Sequence, residues 1–256
     1  MNQAQPRLMQ IFLEVFESLP RQGPGNRACA QRALGYCDGL PAAPDVLDLG
    51  CGVGGQTLHL AELTEGVIIA VDSHAPSIER LGMRAIEQGL TTRVKPMVGD
   101  MAETGLPPAS FDLIWSEGAL YNIGIEKSLN ICQSLLRPNG FVAFTDAVWR
   151  SDERPSEVTA MFEEDYPEMG HVADLFAKIE ASGLTLVSHF PLPSEAWWDD
   201  FYTPMEARIQ ELRSQYVDDP EALDLLNQVA QEPEQHRRYS QYYDYEFFVT
   251  RLLTNH

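Results

Sequence analysis

The stretch Val46-Leu47-Asp48-Leu49-Gly50-Cys51-Gly52-Val53-Gly54-Gly55-Gln56-Thr57 decides the fold of this chain. It reads as a buried strand that runs into a glycine turn and then into a helix. Glycines let the backbone approach a ligand closely, and the start of the following helix offers free amides and a positive dipole end. The stretch therefore predicts a nucleotide-binding loop, with a purely structural strand-to-helix turn as the alternative.

The glycine spacing alone leaves two ligands open. Gly50, Gly52 and Gly55 satisfy the dinucleotide fingerprint G-x-G-x-x-G. Gly50, Gly52 and Gly54 satisfy equally well the G-x-G-x-G spacing of S-adenosylmethionine sites.

Residues after the next two strands bear on this choice. Asp72 ends the apolar run 67–72, where a carboxylate can accept hydrogen bonds from both hydroxyls of a ribose. Ser73 is the better candidate for capping the following helix. Asp100 and Met101 follow a third strand and could bind an adenine amino group and cover its ring, whereas Asp48 could hold an ammonium group, which NAD lacks. These features favour S-adenosylmethionine.

Composition restricts the class of partner. The 256 residues include 18 basic and 38 acidic side chains, for a net charge of −20, and no basic block suits nucleic acid. The four cysteines form no C-x-x-C pair, so we expect a reduced, cytoplasmic protein without a metal site. No apolar run is long enough to span a membrane, and the N-terminus lacks the pattern of a signal peptide.

The chain alternates short apolar runs with amphipathic stretches, which predicts parallel βαβ units. Two helices, over residues 6–19 and 26–38, precede the first strand. Strands are expected at 45–50, 67–72, 94–98, 111–116, 140–146, 184–190 and 243–252. We predict one domain composed of an N-terminal helical cap (1–43), a cofactor-binding core (44–192), a helical, aromatic-rich insertion over the substrate (193–242), and a final strand with its tail (243–256).

From residue 44 to 146 the chain resembles the class I S-adenosylmethionine-dependent methyltransferases, and within them a smaller bacterial group without assigned substrates. The likeness rests on 46–54, 67–72, Val98-Gly99-Asp100, 111–116 and the turn Leu136-Arg137-Pro138-Asn139-Gly140. It implies a Rossmann-like, doubly wound α/β sheet of seven strands, the last antiparallel and inserted between the fifth and sixth. It also implies S-adenosyl-L-methionine as cofactor, held by Asp48, Gly50, Cys51, Gly52, Gly54, Gln56, Thr57, Asp72, Ser73, Gly99, Asp100, Met101 and Ser116.

The segment after the fourth strand, 116–124, leaves the edge of the sheet where open α/β proteins bind ligands. Glu117 could orient an amine or accept a proton, and Tyr121 could face the sulfonium or the acceptor; alternatively, Glu117 caps a helix or pairs with Arg154, and Tyr121 only packs. The acceptor pocket is predicted to include Asp146, Trp149, Trp197, Trp198 and Tyr202, although ordinary packing explains each of these singly.

The sequence thus predicts an enzyme that transfers a methyl group to a small-molecule acceptor by in-line displacement. An NAD-dependent oxidoreductase and a non-catalytic S-adenosylmethionine-binding module are the alternatives. The acceptor, the methylated atom and the oligomeric state stay open.

Overall fold

The structure, a computed structural model, describes residues 4–163 and 165–253, with side chains from Arg7 onward. Within these residues seven strands form one sheet in the order β3-β2-β1-β4-β5-β7-β6, with β7 antiparallel to both of its neighbours. The strands are β1 Asp45–Leu49, β2 Val67–Asp72, β3 Val94–Val98, β4 Phe111–Glu117, β5 Leu136–Trp149, β6 Thr185–Pro191 and β7 Tyr243–Arg251. The predicted fold class is confirmed, including the position of the last strand.

Helices cover the sheet and the ends of its strands. They are α1 Ala4–Phe16, α2 Arg27–Leu34, α3 Gly55–Leu63, α4 Ala75–Glu87, α5 Ile125–Leu135, α6 Ser156–Glu163, α7 Val172–Ala181, α8 Ser194–Trp197, α9 Thr203–Gln215, α10 Pro220–Val229 and α11 Gln231–Tyr239. A 3₁₀ turn at Leu120–Ile123 and a π turn at Trp198–Tyr202 join these elements. None of the helices in the described part of the chain is long and apolar enough to cross a membrane.

The first two helices are shorter than predicted. The end of α1 is at Phe16, not at residue 19, because the chain turns there: Ser18 Oγ donates to the carbonyl of Val15 at 2.8 Å. Similarly, α2 ends at Leu34 rather than at 38, and Gly35 begins a series of turns. Leu19, beyond the end of α1, is nevertheless buried.

Strand β5 extends beyond the predicted 140–146. Its pairing with β7 continues from Phe141 opposite Arg251 to Trp149 opposite Tyr243. β7 therefore supplies hydrogen-bond partners for the backbone N–H and C=O groups of β5 beyond residue 146. Asp146 and Trp149 therefore both lie within β5, whereas the predicted strand ended at residue 146 and left Trp149 beyond it. In the turn before residue 140, Asn139 adopts a φ of 65°.

Two apolar layers enclose the sheet, with α2, α3 and α4 on one face and α5 and α7 on the other. A third apolar cluster joins α1 to α9 and α10 and to aromatic residues from the ends of β5 and β7. The interval between β6 and β7 is thus helical and packs with α1 above the strand ends. The proposed division into cap, core and insertion stays a prediction, and residues 1–3 and 254–256 of its terminal segments lie outside the described residues.

Candidate active site

The glycine loop between β1 and α3 has a backbone that requires glycine. Gly50, Gly52 and Gly54 have φ values of 70°, 52° and 84°, in the left-handed region that side chains disfavour. A Cβ at Gly50 would also collide with the side chain of Ala119. The loop is therefore fixed by its conformation and by close packing.

Asp72, the last residue of β2, holds this loop with its carboxylate. Oδ2 accepts a hydrogen bond from the amide of Gly52, and Oδ1 accepts one from the amide of His74, each at 2.8 Å. A carboxylate offers about four lone-pair sites, so two remain for a ligand. The residue that precedes α4 is His74, and Ser73 does not cap this helix, contrary to the sequence-based expectation.

A cavity of about 830 Å³ opens beside the glycine loop, at the carboxyl ends of β1, β2 and β4. The residues that line it come from the loop, from α1 and the segment that follows it, from the ends of the strands, and from the helical interval before β7. Thirteen predicted site residues line the cavity: Gly50, Cys51, Gly52, Gln56, Asp72, Ser73, Gly99, Asp100, Met101, Glu117, Tyr121, Trp197 and Tyr202. Seven predicted residues do not line it: Asp48, Gly54, Thr57, Ser116, Asp146, Trp149 and Trp198.

Asp48 lies beneath the loop and not in the cavity. It is completely buried, accepts a hydrogen bond from Thr57 Oγ1 at 2.5 Å and is 3.4 Å from Gln56 Nε2. Burial raises the pKa of its carboxyl to about 7, partly offset by the Thr57 hydroxyl. The hydrogen bond between Asp48 and Thr57 links β1 to α3. Asp48 does not line the cavity, so in this conformation it does not contact a ligand ammonium directly.

Other predicted residues are engaged in packing. Ser116 is buried and donates to the carbonyl of Leu49 at 2.8 Å, and Gly54, at the start of α3, faces Leu81. The guanidinium of Arg154 lies 4.0 Å from the ring centroid of Trp149, so Arg154 does not pair with Glu117. These residues support the site from behind its lining.

Trp198 and Asp146 also lie behind the cavity wall. The Trp198 ring is covered by the guanidinium of Arg237 at 4.4 Å. Asp146 is 1% exposed and accepts a hydrogen bond from the Tyr166 hydroxyl at 2.7 Å, and burial raises the pKa of its carboxyl to about 7. Asp146 thus acts on the cavity only through Tyr166, which does line it.

Arg21 and Glu117 form a buried ion pair that the sequence analysis missed. Arg21 Nη2 is 2.7 Å from Glu117 Oε2, and the side chains are 4% and 2% exposed. The other carboxylate oxygen of Glu117 accepts from Trp115 Nε1 at 2.7 Å. Arg21 Nη1 is buried without a hydrogen-bond partner. Because buried donors are nearly always satisfied, this free N–H group indicates a place for an acceptor from a ligand.

The segment that carries Arg21 also covers the glycine loop. Gln22 Oε1 accepts a hydrogen bond from the amide of Val53 at 3.0 Å, and residues 21–24 line the cavity. The sequence signal was the segment Arg21-Gln22-Gly23-Pro24-Gly25, which indicates a break between helices and whose residues 22–25 belong to the resemblance with the smaller bacterial group. Its glycines and proline fold the chain back onto the loop.

Aromatic rings form the far wall of the cavity. The Tyr121 and Tyr166 rings have centroids 4.9 Å apart, and Trp197 meets Tyr245 edge to face at 5.2 Å. The Tyr202 hydroxyl is 3.3 Å from Glu232 Oε1. Of these, Tyr166, Tyr245 and Glu232 were not predicted, although Tyr245 belongs to the alternating aromatic pattern of the last strand.

Part of the chain matches a known protein family, and similar proteins are known. Residues 46–140 match the family described as a methyltransferase domain, which confirms the resemblance seen in the sequence. The dimethylglycine N-methyltransferase of Parasynechococcus marenigrum is 32% identical over 114 residues, which cover 44% of this chain and 41% of that protein. A sterol 24-C-methyltransferase of Gibberella zeae is 25% identical over 185 residues, which cover 69% of this chain and 48% of that protein. This chain thus spans less than half the length of these two relatives.

Among solved structures, an S-adenosylmethionine-dependent methyltransferase from Geobacter sulfurreducens, crystallised with S-adenosyl-L-homocysteine, has the same fold. The TM-score is 0.79 at 20% identity, and the alignment covers 94% of this chain and 97% of that one.

Proposed function

We propose that this chain, whose residues 46–140 are a methyltransferase domain, transfers a methyl group from S-adenosyl-L-methionine to a small-molecule acceptor. The observation that carries the proposal is the single cavity in which the glycine loop, Asp72 and Asp100 meet an aromatic chamber. One end is suited to a nucleoside and the other to an organic acceptor. Enclosure between α1 and the helices before β7 favours a small acceptor over a polymer.

The residues at the loop end fit the cofactor. Asp72 has free lone pairs for ribose hydroxyls, Asp100 can accept from an adenine amino group, and Met101 can cover the ring. When bound, S-adenosylmethionine supplies an electrophilic methyl group on a sulfonium. The protein's task is then to align the acceptor with that carbon and to exclude water.

Arg21 fits the amino-acid end of the same cofactor. Its Nη1 is a buried donor without a partner that lies in a cavity-lining side chain, and a ligand carboxylate would satisfy it by a charge-assisted hydrogen bond. Glu117 holds Arg21 from the other side. Since both oxygens of Glu117 already accept hydrogen bonds, we assign it to orienting Arg21 and the cofactor's ammonium group, not to removing a proton.

Tyr121 belongs to the aromatic wall at the acceptor end of the cavity. Its ring packs against Tyr166 and its residue lines the cavity, so it can contact the reacting atoms from the acceptor side. A hydroxyl or an aromatic face there would stabilise the cationic centre of the reaction.

The test is turnover. Purified protein is incubated with S-adenosylmethionine that carries a labelled methyl group and with panels of amines, thiols, phenols and carbon acids, and S-adenosylhomocysteine is measured. Acceptor-dependent formation of S-adenosylhomocysteine supports the proposal. Tight cofactor binding without turnover on any panel would favour a binding module instead.

A further inference from the structure

The side chains at the acceptor end of the cavity favour a ligand with a positive charge. We name it the acceptor chamber and define it by Tyr121, Tyr166, Tyr202, Tyr245 and Glu232, all of which line the cavity. Aromatic faces attract cations, most strongly where water is displaced. The four tyrosines therefore favour a positively charged ligand group over a negative one.

Glu232 is a carboxylate without a cationic partner in this chamber. It is half-buried, and its one hydrogen-bond partner among the described side chains is the Tyr202 hydroxyl. Burial is the main cause that raises the pKa of Glu232 to about 7; the Tyr202 hydroxyl lowers it, and the charge of Asp165, which also lines the cavity, raises it further. The opposite charge of a ligand cation would stabilise the ionised carboxylate against both effects.

Two of the four tyrosine hydroxyls donate to carboxylates and so present only acceptor lone pairs to the cavity. Tyr166 gives its hydroxyl proton to Asp146 at 2.7 Å, and Tyr202 gives its own to Glu232. Each oxygen is left with lone pairs alone to offer to the cavity. These two oxygens can therefore accept a hydrogen bond from a ligand but cannot donate one.

Cationic side chains are scarce around the cavity. Among the lining residues that the structure describes, Arg21 is the only Lys, Arg or His. Arg21 lies beside the glycine loop, where it pairs with Glu117 and packs on Gly55. Among the described lining residues, the acceptor chamber consequently has no cationic side chain to pair with a carboxylate or a phosphate.

We propose that the methyl acceptor is an amine that enters as its ammonium form, carries no anionic group, and is held by Glu232 and the tyrosine wall of the acceptor chamber. This inference rests on the proposed function and specifies its substrate class. It separates this chain from an enzyme for an amino acid or a phosphorylated amine.

The transfer balances as follows. The bound ammonium gives one proton to the Glu232 carboxylate, and the nitrogen lone pair that this frees forms the new nitrogen–carbon bond. The carbon–sulfur bond breaks with its electron pair retained by sulfur, which leaves an N-methylammonium and a thioether. Glu232 then returns its proton to water.

The test is a binding measurement on the full chain, with and without S-adenosylhomocysteine. Choline, a quaternary ammonium that cannot be methylated on nitrogen, is compared with its neutral isostere 3,3-dimethylbutan-1-ol by titration calorimetry or ligand-observed NMR. We expect choline to bind about tenfold or more tightly, because its positive charge interacts with the Glu232 carboxylate and with the faces of the tyrosine rings. Equal affinities would overturn the proposal, and so would tighter binding of dimethylglycine than of dimethylethylamine.

Two variants locate the effect. Glu232→Gln keeps the shape of the side chain, and we expect it to reduce choline affinity about tenfold while S-adenosylhomocysteine affinity is unchanged. Glu234→Gln, two residues along α11 with a side chain 71% exposed, is the matched control and should change neither affinity. Unchanged choline binding in Glu232→Gln would overturn the proposal.

The cofactor titration keeps the two claims separate. Failure of S-adenosylhomocysteine to bind the unaltered protein would overturn methyl transfer, and with it the role of the amine as acceptor. Intact S-adenosylhomocysteine binding without a preference for choline would overturn the amine inference alone.

Discussion

Replacing Arg21 by methionine should destabilise the protein strongly, because it leaves a charged partner buried. The Arg21 and Glu117 side chains are 4% and 2% exposed and 2.7 Å apart. Removing one member of a buried pair typically costs about 3–5 kcal/mol, since the other charge stays desolvated. For a protein of this size, about 2–4 °C is lost per kcal/mol, so the melting temperature should fall by about 6–20 °C.

The assay is chemical denaturation followed by circular dichroism, supported by thermal melts. Arg27→Met is the matched control: Arg27 lies 2.8 Å from Glu62, but both side chains are about half exposed. Exposed pairs contribute about 0–1 kcal/mol, so this variant should remain close to the unaltered protein. The double variant Arg21→Met with Glu117→Gln should recover part of the loss, because it removes the uncompensated charge.

A loss of less than about 1 kcal/mol in Arg21→Met would refute this reasoning, because it would mean that Glu117 is solvated or paired elsewhere. A double variant less stable than Arg21→Met would refute it as well. In either case the free donor on Arg21 would lose its significance as a ligand contact.

Three further outcomes are expected. Asp72→Ala should weaken S-adenosylhomocysteine binding by about 1–3 kcal/mol in calorimetry, through lost ribose contacts and a loosened Gly52 amide, and unchanged affinity in a folded variant would contradict the assignment. Gly52→Ala, at a φ of 52°, should likewise weaken cofactor binding while the melting temperature stays close to that of the unaltered protein. A lowered melting temperature with unchanged cofactor affinity would argue against a ligand role for the loop. Burial raises the pKa of Asp146 from 3.8 to about 7, so its contribution to the free energy of unfolding is fully present below about pH 3.8 and is lost as pH rises through 7. Asp146→Asn should therefore flatten the fall of the free energy of unfolding between these pH values, measured by denaturation at several pH values. An unaltered fall would assign it to other groups.

The sequence predicts the core of the fold well, because its signals are local. The strand before Gly50, the glycine spacing and the carboxylate at the end of β2 each follow from a few consecutive residues. The antiparallel last strand came from the family resemblance and from its alternating pattern, and the structure has it between β5 and β6.

The site is less predictable, because its polar contacts join distant segments. Arg21 and Glu117 are 96 residues apart, and nothing in the local pattern of either indicates the other. Tyr166 and Glu232 lie in helical or loop segments whose periodicity does not distinguish a cavity from a core. Asp48 and Trp149 failed as lining residues for the related reason that position along a strand does not reveal which side chains neighbouring helices cover.

The most direct test of the central claim is calorimetric titration of the protein with S-adenosylmethionine, S-adenosylhomocysteine and NAD under identical conditions. The account predicts that both sulfur ligands bind, at micromolar concentrations, and that NAD does not. Binding of NAD without the sulfur ligands would contradict it, and would turn the glycine loop and Asp72 into a dinucleotide site.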